Sequence, residues 1–313
     1  MLFVAGSSLA IFFGYVGLYA CAQFLIKTLY SPVQIVWSTL FGSRKSLSER
    51  YGAWAVITGS SDGIGREYSL NLARQGMNVM LISRTESKLI KLAEEICAEC
   101  NVQVRWMVVD FAEGNAVYER IQKELSTLEV GILVNNVGMV HKNPASIDEL
   151  EIHELDQTLT VNLQPTLRLI HMILPEMKRR RRGMIVNMSS TSAFLTVPYL
   201  SVYSASKAFI QHLTHSMEFE LQGTGVEVQR VSPFFVDTNM TKSYHTNPVW
   251  ALLSTDVKPY GKAAAWLIGK TSQTMGHWFH ALQITIIRMI PEWVSTITIG
   301  LALRFIKTKS NKG

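Results

Sequence analysis

The chain has 313 residues, 48% hydrophobic and 17% charged, enough for one large domain or two small ones and too apolar to remain a solvated, disordered chain. A net charge of +6 fits nucleic acid, an acidic membrane surface or anionic small ligands alike, so position along the chain has to decide among them. Cys21, Cys97 and Cys100 form no disulfide framework, and Cys97-x-x-Cys100 sits in a helix-periodic stretch without a second pair to complete a zinc site, so no metal is expected.

Residues 2–26 carry no charged side chain, and about twenty apolar residues suffice to cross a bilayer core as a helix. Lys27 and then Arg44, Lys45 and Arg50 follow, which places the remainder on the cytoplasmic side of a membrane anchor spanning 1–26. A cleaved signal peptide is the rival reading, because Ala20-Cys21-Ala22 has the small residues of a cleavage site, although no Lys or Arg precedes the run. Residues 27–50, with Ser31-Pro32 and the charged SRKSLSER stretch, read as a linker. A domain over 51–250 follows, in which short apolar runs at 53–58, 77–83, 102–110, 131–136, 183–187 and 226–231 alternate with helix-periodic segments. That alternation predicts a doubly wound, Rossmann-like parallel α/β sheet with its ligand at the C-terminal ends of the strands.

The first run leads into Thr58-Gly59-Ser60-Ser61-Asp62-Gly63-Ile64-Gly65, a glycine motif between strand and helix. There Gly59 permits a tight turn, Gly63 lets backbone N–H groups approach a pyrophosphate, and Gly65 lets helix pack on strand. The second run ends at Ser83-Arg84 with no acid for ribose hydroxyls. With Arg66 these residues suit a 2′-phosphate, so NADP(H) is the expected cofactor. Asp110 is placed to meet adenine or to cap a helix, and the amides of Asn135-Asn136 can tie backbone segments beneath the cofactor. Tyr203 and Lys207 stand four apart, on one helical face, where an ammonium stabilises a phenolate. Ser190, thirteen positions before Tyr203, offers a hydroxyl to a carbonyl oxygen.

Lys178-Arg179-Arg180-Arg181-Arg182 ends a helix on the sheet edge away from the cofactor and complements that helix's dipole, so no nucleic acid is expected. In the extension over 251–313 a helix is expected over 259–272. The apolar stretch 278–306 is broken by Arg288, Pro291 and Glu292. Its uninterrupted piece, 293–303, is too short to span a bilayer and reads as a cap on the substrate cleft or an interfacial helix. Arg304, Lys307, Lys309 and Lys312 would suit an anionic leaflet, while His277 and His280 lack a third metal ligand and read as packing or interfacial residues.

TGSSDGIG, NNVG, Ser190 and YSASK together make the chain resemble the short-chain dehydrogenase/reductase family over residues 52–240. The resemblance implies that Ser190 orients the substrate oxygen, Tyr203 is the general acid/base, and Lys207 binds the nicotinamide ribose and lowers the tyrosine pKa. It implies that Asn162, in Thr160-Val161-Asn162, supports a proton relay. It also implies cofactor contacts at Gly59, Ser60, Ser61, Asp62, Gly63, Ile64, Gly65, Arg66, Ser83, Arg84, Asp110, Asn136, Tyr203, Lys207, Val236 and Thr238. DGIG, LISR, VVDF, GILVNNVG and SPFFVDT are similar to the membrane-bound 17β-hydroxysteroid dehydrogenases of types 3 and 12, the latter also known as very-long-chain 3-oxoacyl-CoA reductase. Phe234 stands where the wider family usually has glycine, as in that subfamily. FGSRKSLSERYGAWAV and PEWV resemble the hydroxysteroid dehydrogenase-like branch, whose best-known member is regarded as inactive because phenylalanine replaces the catalytic tyrosine. Here Tyr203 is present.

The resemblance therefore implies NADPH-dependent reduction of a ketone on a lipophilic substrate, ketosteroid or long-chain 3-oxoacyl-CoA, with a catalytically weak membrane-associated binding protein as the alternative. Its partners would be the small-molecule substrate, membrane lipid and a second copy in a homodimer. Its location would be the endoplasmic reticulum membrane with a cytosolic domain, a mitochondrial membrane being the alternative. The final Ser310-Asn311-Lys312-Gly313 lacks the lysine expected for dilysine retrieval.

Overall fold

The computed structural model describes residues 2–41, 43, 45–141, 143–242 and 253–310. The chain forms two units, Met1–Ser43 and Arg44–Gly313. The first is a single helix, α1 (Leu2–Phe41), with Pro32 inside it. Its stretch Ile11–Phe41 is the one helix among the described residues that is by itself long and apolar enough to cross a membrane. Residues 27–41, expected as linker, continue this helix: Lys27 interrupts the apolar run but is a good helix former, and no glycine follows before the helix ends.

In the second unit residues 47–50, also expected as linker, are helical. They belong to α2 (Leu47–Tyr51), started by a capping box in which Ser46 accepts from the Glu49 amide and the Glu49 carboxylate accepts from the Ser46 amide. Then β1 (Trp54–Thr58), α3 (Gly63–Arg74), β2 (Asn78–Ser83), α4 (Glu86–Glu99), β3 (Val104–Val108), α5 (Tyr118–Leu125), β4 (Val130–Asn135), α6 (Ile152–Arg180), β5 (Gly183–Met188), α7 (Ser201–Glu220) and β6 (Val226–Val231) alternate. The remainder contains β7 (Val236–Asp237), β8 (Thr255–Asp256), α8 (Val257–Trp266), β9 (Gln273–Thr274), α9 (Trp278–Met289) and α10 (Glu292–Ser310).

Seven strands form one parallel sheet in the order β3-β2-β1-β4-β5-β6-β9, and β7 pairs with β8 apart from it. Because strand side chains alternate, Ala55 and Ile57 of β1 enter one core with α3, α4 and α8, while Trp54 and Val56 enter the other with α5, α6 and α7. The strand order reverses direction between β1 and β4, which opens a crevice where their C-terminal ends diverge.

The helix expected over 259–272 is shorter. It ends at Trp266, and Gly269 at φ +72° turns the chain back so that β9 adds to the sheet edge. Buried Gln229 fixes that turn by donating to the carbonyls of Leu267 (2.7 Å) and Thr271 (2.8 Å). The arginine run closes α6: Arg180 and Arg182 reach Glu129, Arg179 reaches Glu176, and Arg181 takes the left-handed C-cap.

Candidate active site

The turn from β1 into α3 brings the glycine motif to the crevice. Gly59 (φ +63°) and Gly63 (φ +56°) occupy backbone regions that L side chains avoid. Gly65 is required for proximity, since a Cβ there would lie 2.3 Å from the Gly59 carbonyl oxygen and 2.5 Å from Asn136 Nδ2. Asn136 holds the turn by donating to the carbonyls of Thr58 (2.9 Å) and Gly59 (3.2 Å). Its own amide and that of Val137 donate to Thr58 Oγ1 at 3.0 Å. Asp62 caps α3, accepting from the Gly63 amide at 2.7 Å, and receives Lys88 and Asn239 from outside the turn. Thr238, after buried Val236, packs its methyl group over Gly63. Half-buried Ile64 packs on the core beneath.

At the C-terminal end of β2, the hydroxyls of Ser61 and Ser83 meet at 2.7 Å, whereas Ser60 is buried and bonds the Ile82 carbonyl. Arg84 is exposed and makes no hydrogen bond or ion pair among the described residues. Arg66, expected to share a 2′-phosphate with it, is differently engaged: its guanidinium bridges Glu67 (2.9 Å) and Glu95 (2.5 Å), so that its charge is already compensated. Asp110 caps the turn after β3, accepting from the Ala112 amide at 3.0 Å.

The other side of the crevice is built by β5 and α7. Ser190 follows β5 and caps a short turn, Thr191–Ala193. Tyr203 and Lys207 lie in the first two turns of α7, with Nζ 5.8 Å from the phenol ring centroid. Burial pushes the Tyr203 pKa up, and a hydrogen bond with the Ser190 hydroxyl opposes that rise. The net direction is therefore upward, opposite to the lowering expected from Lys207. Lys207 is itself buried, which pushes its pKa down to about 8. Its ammonium donates to one carbonyl, Met188 O at 3.1 Å, and lies against Gly138, where a Cβ would come within 3.2 Å of Nζ.

Asn162 is buried in α6 and held to the loop after β4 by two hydrogen bonds: its Oδ1 accepts from the Met139 amide (2.7 Å) and its Nδ2 donates to the Met139 carbonyl (3.0 Å). The same Nδ2 lies 3.0 Å from Ser206 Oγ, which in turn donates to the Tyr203 carbonyl at 2.7 Å. Two supporting residues, Ser189 and Asn187, escaped sequence reasoning. Ser189 donates to the Lys207 carbonyl at 2.8 Å, and Asn135 and Asn187 form a buried amide chain that continues to Thr214. Polar residues ending two neighbouring apolar strands were the available signal. His280, read as packing or interfacial, is a buried knot: Nδ1 accepts from the Phe234 amide (3.3 Å), and Nε2 lies near Phe235 O (3.1 Å) and Thr255 Oγ1 (3.0 Å).

A parallel sheet with a glycine turn at its switch point and serine, tyrosine and lysine facing it across the crevice is the architecture of an α/β oxidoreductase. The chain belongs to the short chain dehydrogenase family, whose model matches residues 53–248. It is 36% identical over 272 residues to "Inactive hydroxysteroid dehydrogenase-like protein 1" of Pongo abelii, covering 86% of this chain and 82% of that one. It is 35% identical over 310 residues to "Very-long-chain 3-oxoacyl-CoA reductase" of Rattus norvegicus, covering 96% and 97%. Among solved structures, a short-chain dehydrogenase from Sphingobium yanoikuyae in complex with NADPH superposes with a TM-score of 0.67 at 26% identity, covering 76% of this chain and 92% of that one.

Proposed function

We propose that this protein is a membrane-anchored, NADP(H)-dependent reductase that converts a ketone on a lipophilic substrate, a long-chain 3-oxoacyl thioester or a ketosteroid, into the alcohol. The observation that carries the reading is the complete set of Ser190, Tyr203, Lys207 and Asn162 opposite an intact glycine turn. The name of the rat relative supports the thioester, and the bound NADPH of the bacterial structure supports the cofactor.

The residues present fit a nicotinamide dinucleotide phosphate. An ammonium has three N–H donors, and Lys207 gives one to Met188 O, leaving two buried donors that ribose hydroxyls would satisfy. Arg84 would meet the 2′-phosphate with Ser61 and Ser83 beside it, Arg66 being held by its two carboxylates. When bound, the reduced cofactor supplies the hydride.

The chain's own residues handle the oxygen and the proton. Ser190 holds the ketone oxygen by donating its hydroxyl proton to it. Tyr203, kept neutral by its raised pKa, transfers its phenolic proton to that oxygen as negative charge develops. The Lys207 cation lowers the cost of the phenolate left behind, and Asn162 fixes the Gly138-Met139 loop against α7 so that lysine and phenol keep their places. In this reading α1 anchors the enzyme in the endoplasmic reticulum membrane with the second unit in the cytosol.

The test is NADPH oxidation by the purified, detergent-solubilised chain with a ketosteroid and with a long-chain 3-oxoacyl-CoA. Turnover on at least one is expected. No turnover on any ketone would favour the second reading, a binding protein of little activity, to which the name of the Pongo relative points.

A further inference from the structure

The described arginines fall into two groups. Arg50, Arg66, Arg74, Arg105, Arg179, Arg180 and Arg182 each pair with a carboxylate. Arg230 and Arg288 belong with those that have no carboxylate partner among the described residues, and they are set apart by meeting over one aromatic ring. Arg230 projects from the C-terminal end of β6 and Arg288 from the last turn of α9. Their guanidinium carbons lie 5.0 Å and 4.6 Å from the centroid of one ring, that of Phe194. Neither forms an ion pair among the described residues. Arg230 donates through Nη2 to Gln273 Oε1 at 2.7 Å, while its Nε is buried without a partner. Arg288, exposed, makes no hydrogen bond among the described residues. Glu218 is near enough to attract Arg230 but does not bond it, and contacts His215 at 3.6 Å instead. Burial and the neighbouring Arg288 lower the pKa of Arg230 to about 10, so both cations persist at physiological pH and repel each other.

We infer that Arg230 and Arg288 form a binding site for a phosphate-type anion over Phe194, and that the anion is the phosphorylated head of a coenzyme A thioester substrate. Two guanidinium forks brought to one ring without a carboxylate match tetrahedral phosphate oxygens, whereas a neutral steroid offers them nothing. The position fits a substrate group: Phe194 ends the turn that Ser190 begins, and β6 is the neighbour of β5, which delivers Ser190. The inference rests on the reductase reading above, and it turns the open choice between thioester and steroid into a question about two named side chains.

The experiment compares a long-chain 3-oxoacyl-CoA with the same acyl group on N-acetylcysteamine, which lacks the phosphates, using full-length wild type, Arg230→Met and Arg288→Met. One charge-assisted hydrogen bond is worth about ten- to a hundredfold in binding, so each variant should lose roughly tenfold or more in kcat/KM preference for the coenzyme A thioester. An unchanged preference in both variants would overturn the site. Arg288→Met is the safer variant for folding because Arg288 is exposed. A second readout is the thermal shift produced by free coenzyme A, by pantetheine and by inorganic phosphate. A shift with coenzyme A that exceeds the others and falls in both variants supports the inference. A shift with inorganic phosphate equal to that with coenzyme A would overturn the assignment to substrate. So would variants that lose flotation with phosphatidic acid vesicles while keeping their thioester preference. Wild type inactive on both thioesters but active on a ketosteroid would overturn the assignment to a thioester, whereas inactivity on all three would defeat the reductase reading instead, and the thermal shift with coenzyme A would still decide the site.

Discussion

Lys207 concentrates the conflict between stability and chemistry in this site. Its pKa of about 8 in the folded chain lies below the usual lysine value near 10.4, so the folded state binds fewer protons than the unfolded state between those limits. Stability therefore rises with pH through that window, and the burial penalty is present in full below pH 8. Lys207→Met should stabilise the protein without cofactor by up to about 3 kcal/mol below pH 8, with the gain shrinking towards pH 10.5. Chemical denaturation at pH 7 and pH 10 measures this, and a gain of equal size at both would show that packing rather than charge is responsible. Tyr203→Phe has the opposite character. It removes one oxygen, keeps the ring, and should cut turnover by about two to four orders of magnitude with NADPH affinity nearly intact. Stopped-flow cofactor binding beside steady-state rates separates the two effects. At the cofactor's far end, Arg84→Asp should weaken NADPH far more than Arg66→Gln, since only Arg84 is uncompensated. Equal losses on titration would return Arg66 to the 2′-phosphate.

At the scale of elements, the site depends on backbone approaches that only particular residues permit. The β1–α3 turn closes on Gly65, Asn136 and the Gly59 carbonyl, so Gly65→Ala must displace main chain rather than a flexible side chain. A cost of about 1–3 kcal/mol and severe loss of cofactor binding are expected, read by thermal melts with and without NADPH. A normal NADPH-induced shift would mean that the turn relaxes more easily than its geometry implies. A similar approach joins α8 to α3, where a Cβ on Gly261 would lie 2.2 Å from that of Glu67, and this contact brings the chain after β8 back against the cofactor half. His280 does the same for the segment before β7, and burial holds its pKa down to about 4, leaving a neutral ring to bond Phe234 and Phe235.

The whole molecule carries far more exposed apolar surface than a soluble enzyme needs. On α1 the side chains of Phe12, Tyr15, Leu18 and Tyr19 are bare, and on the C-terminal pair so are Trp278, Leu282, Ile286 and Met289 of α9 and Trp293, Ile297, Leu301 and Phe305 of α10. The opposite side of α10 is committed, with Leu303 and Ile306 buried against Val197, Tyr199, Leu200 and Phe235. Patches of this kind mark protein–protein or membrane contact, and the proposed anchoring assigns them to a membrane. The full chain should stay in the pellet after alkaline carbonate. Replacing Trp278 and Trp293 with Gln should weaken vesicle binding of residues 44–313, as flotation would report. Recovery of the full chain in the carbonate supernatant would reject α1 as a span.

Much of this was legible in the sequence because local chemistry dictated it. Six apolar runs separated by helix periods could form little other than a parallel sheet, and three glycines between a strand and a helix mark a turn that other residues cannot make. That Tyr203 and Lys207 share a helical face follows from their spacing, while their grouping with Ser190 needed the wider motif set. What the sequence could not decide were relations between residues far apart along the chain. Nothing within reach of Arg66 in sequence announces that Glu95 will neutralise it, nor that burial will push the Tyr203 pKa upward. The short strand β9, the knot at His280 and the meeting of Arg230 with Arg288 over Phe194 arise the same way. Burial and pairing are properties of packed neighbours, which a one-dimensional period does not encode.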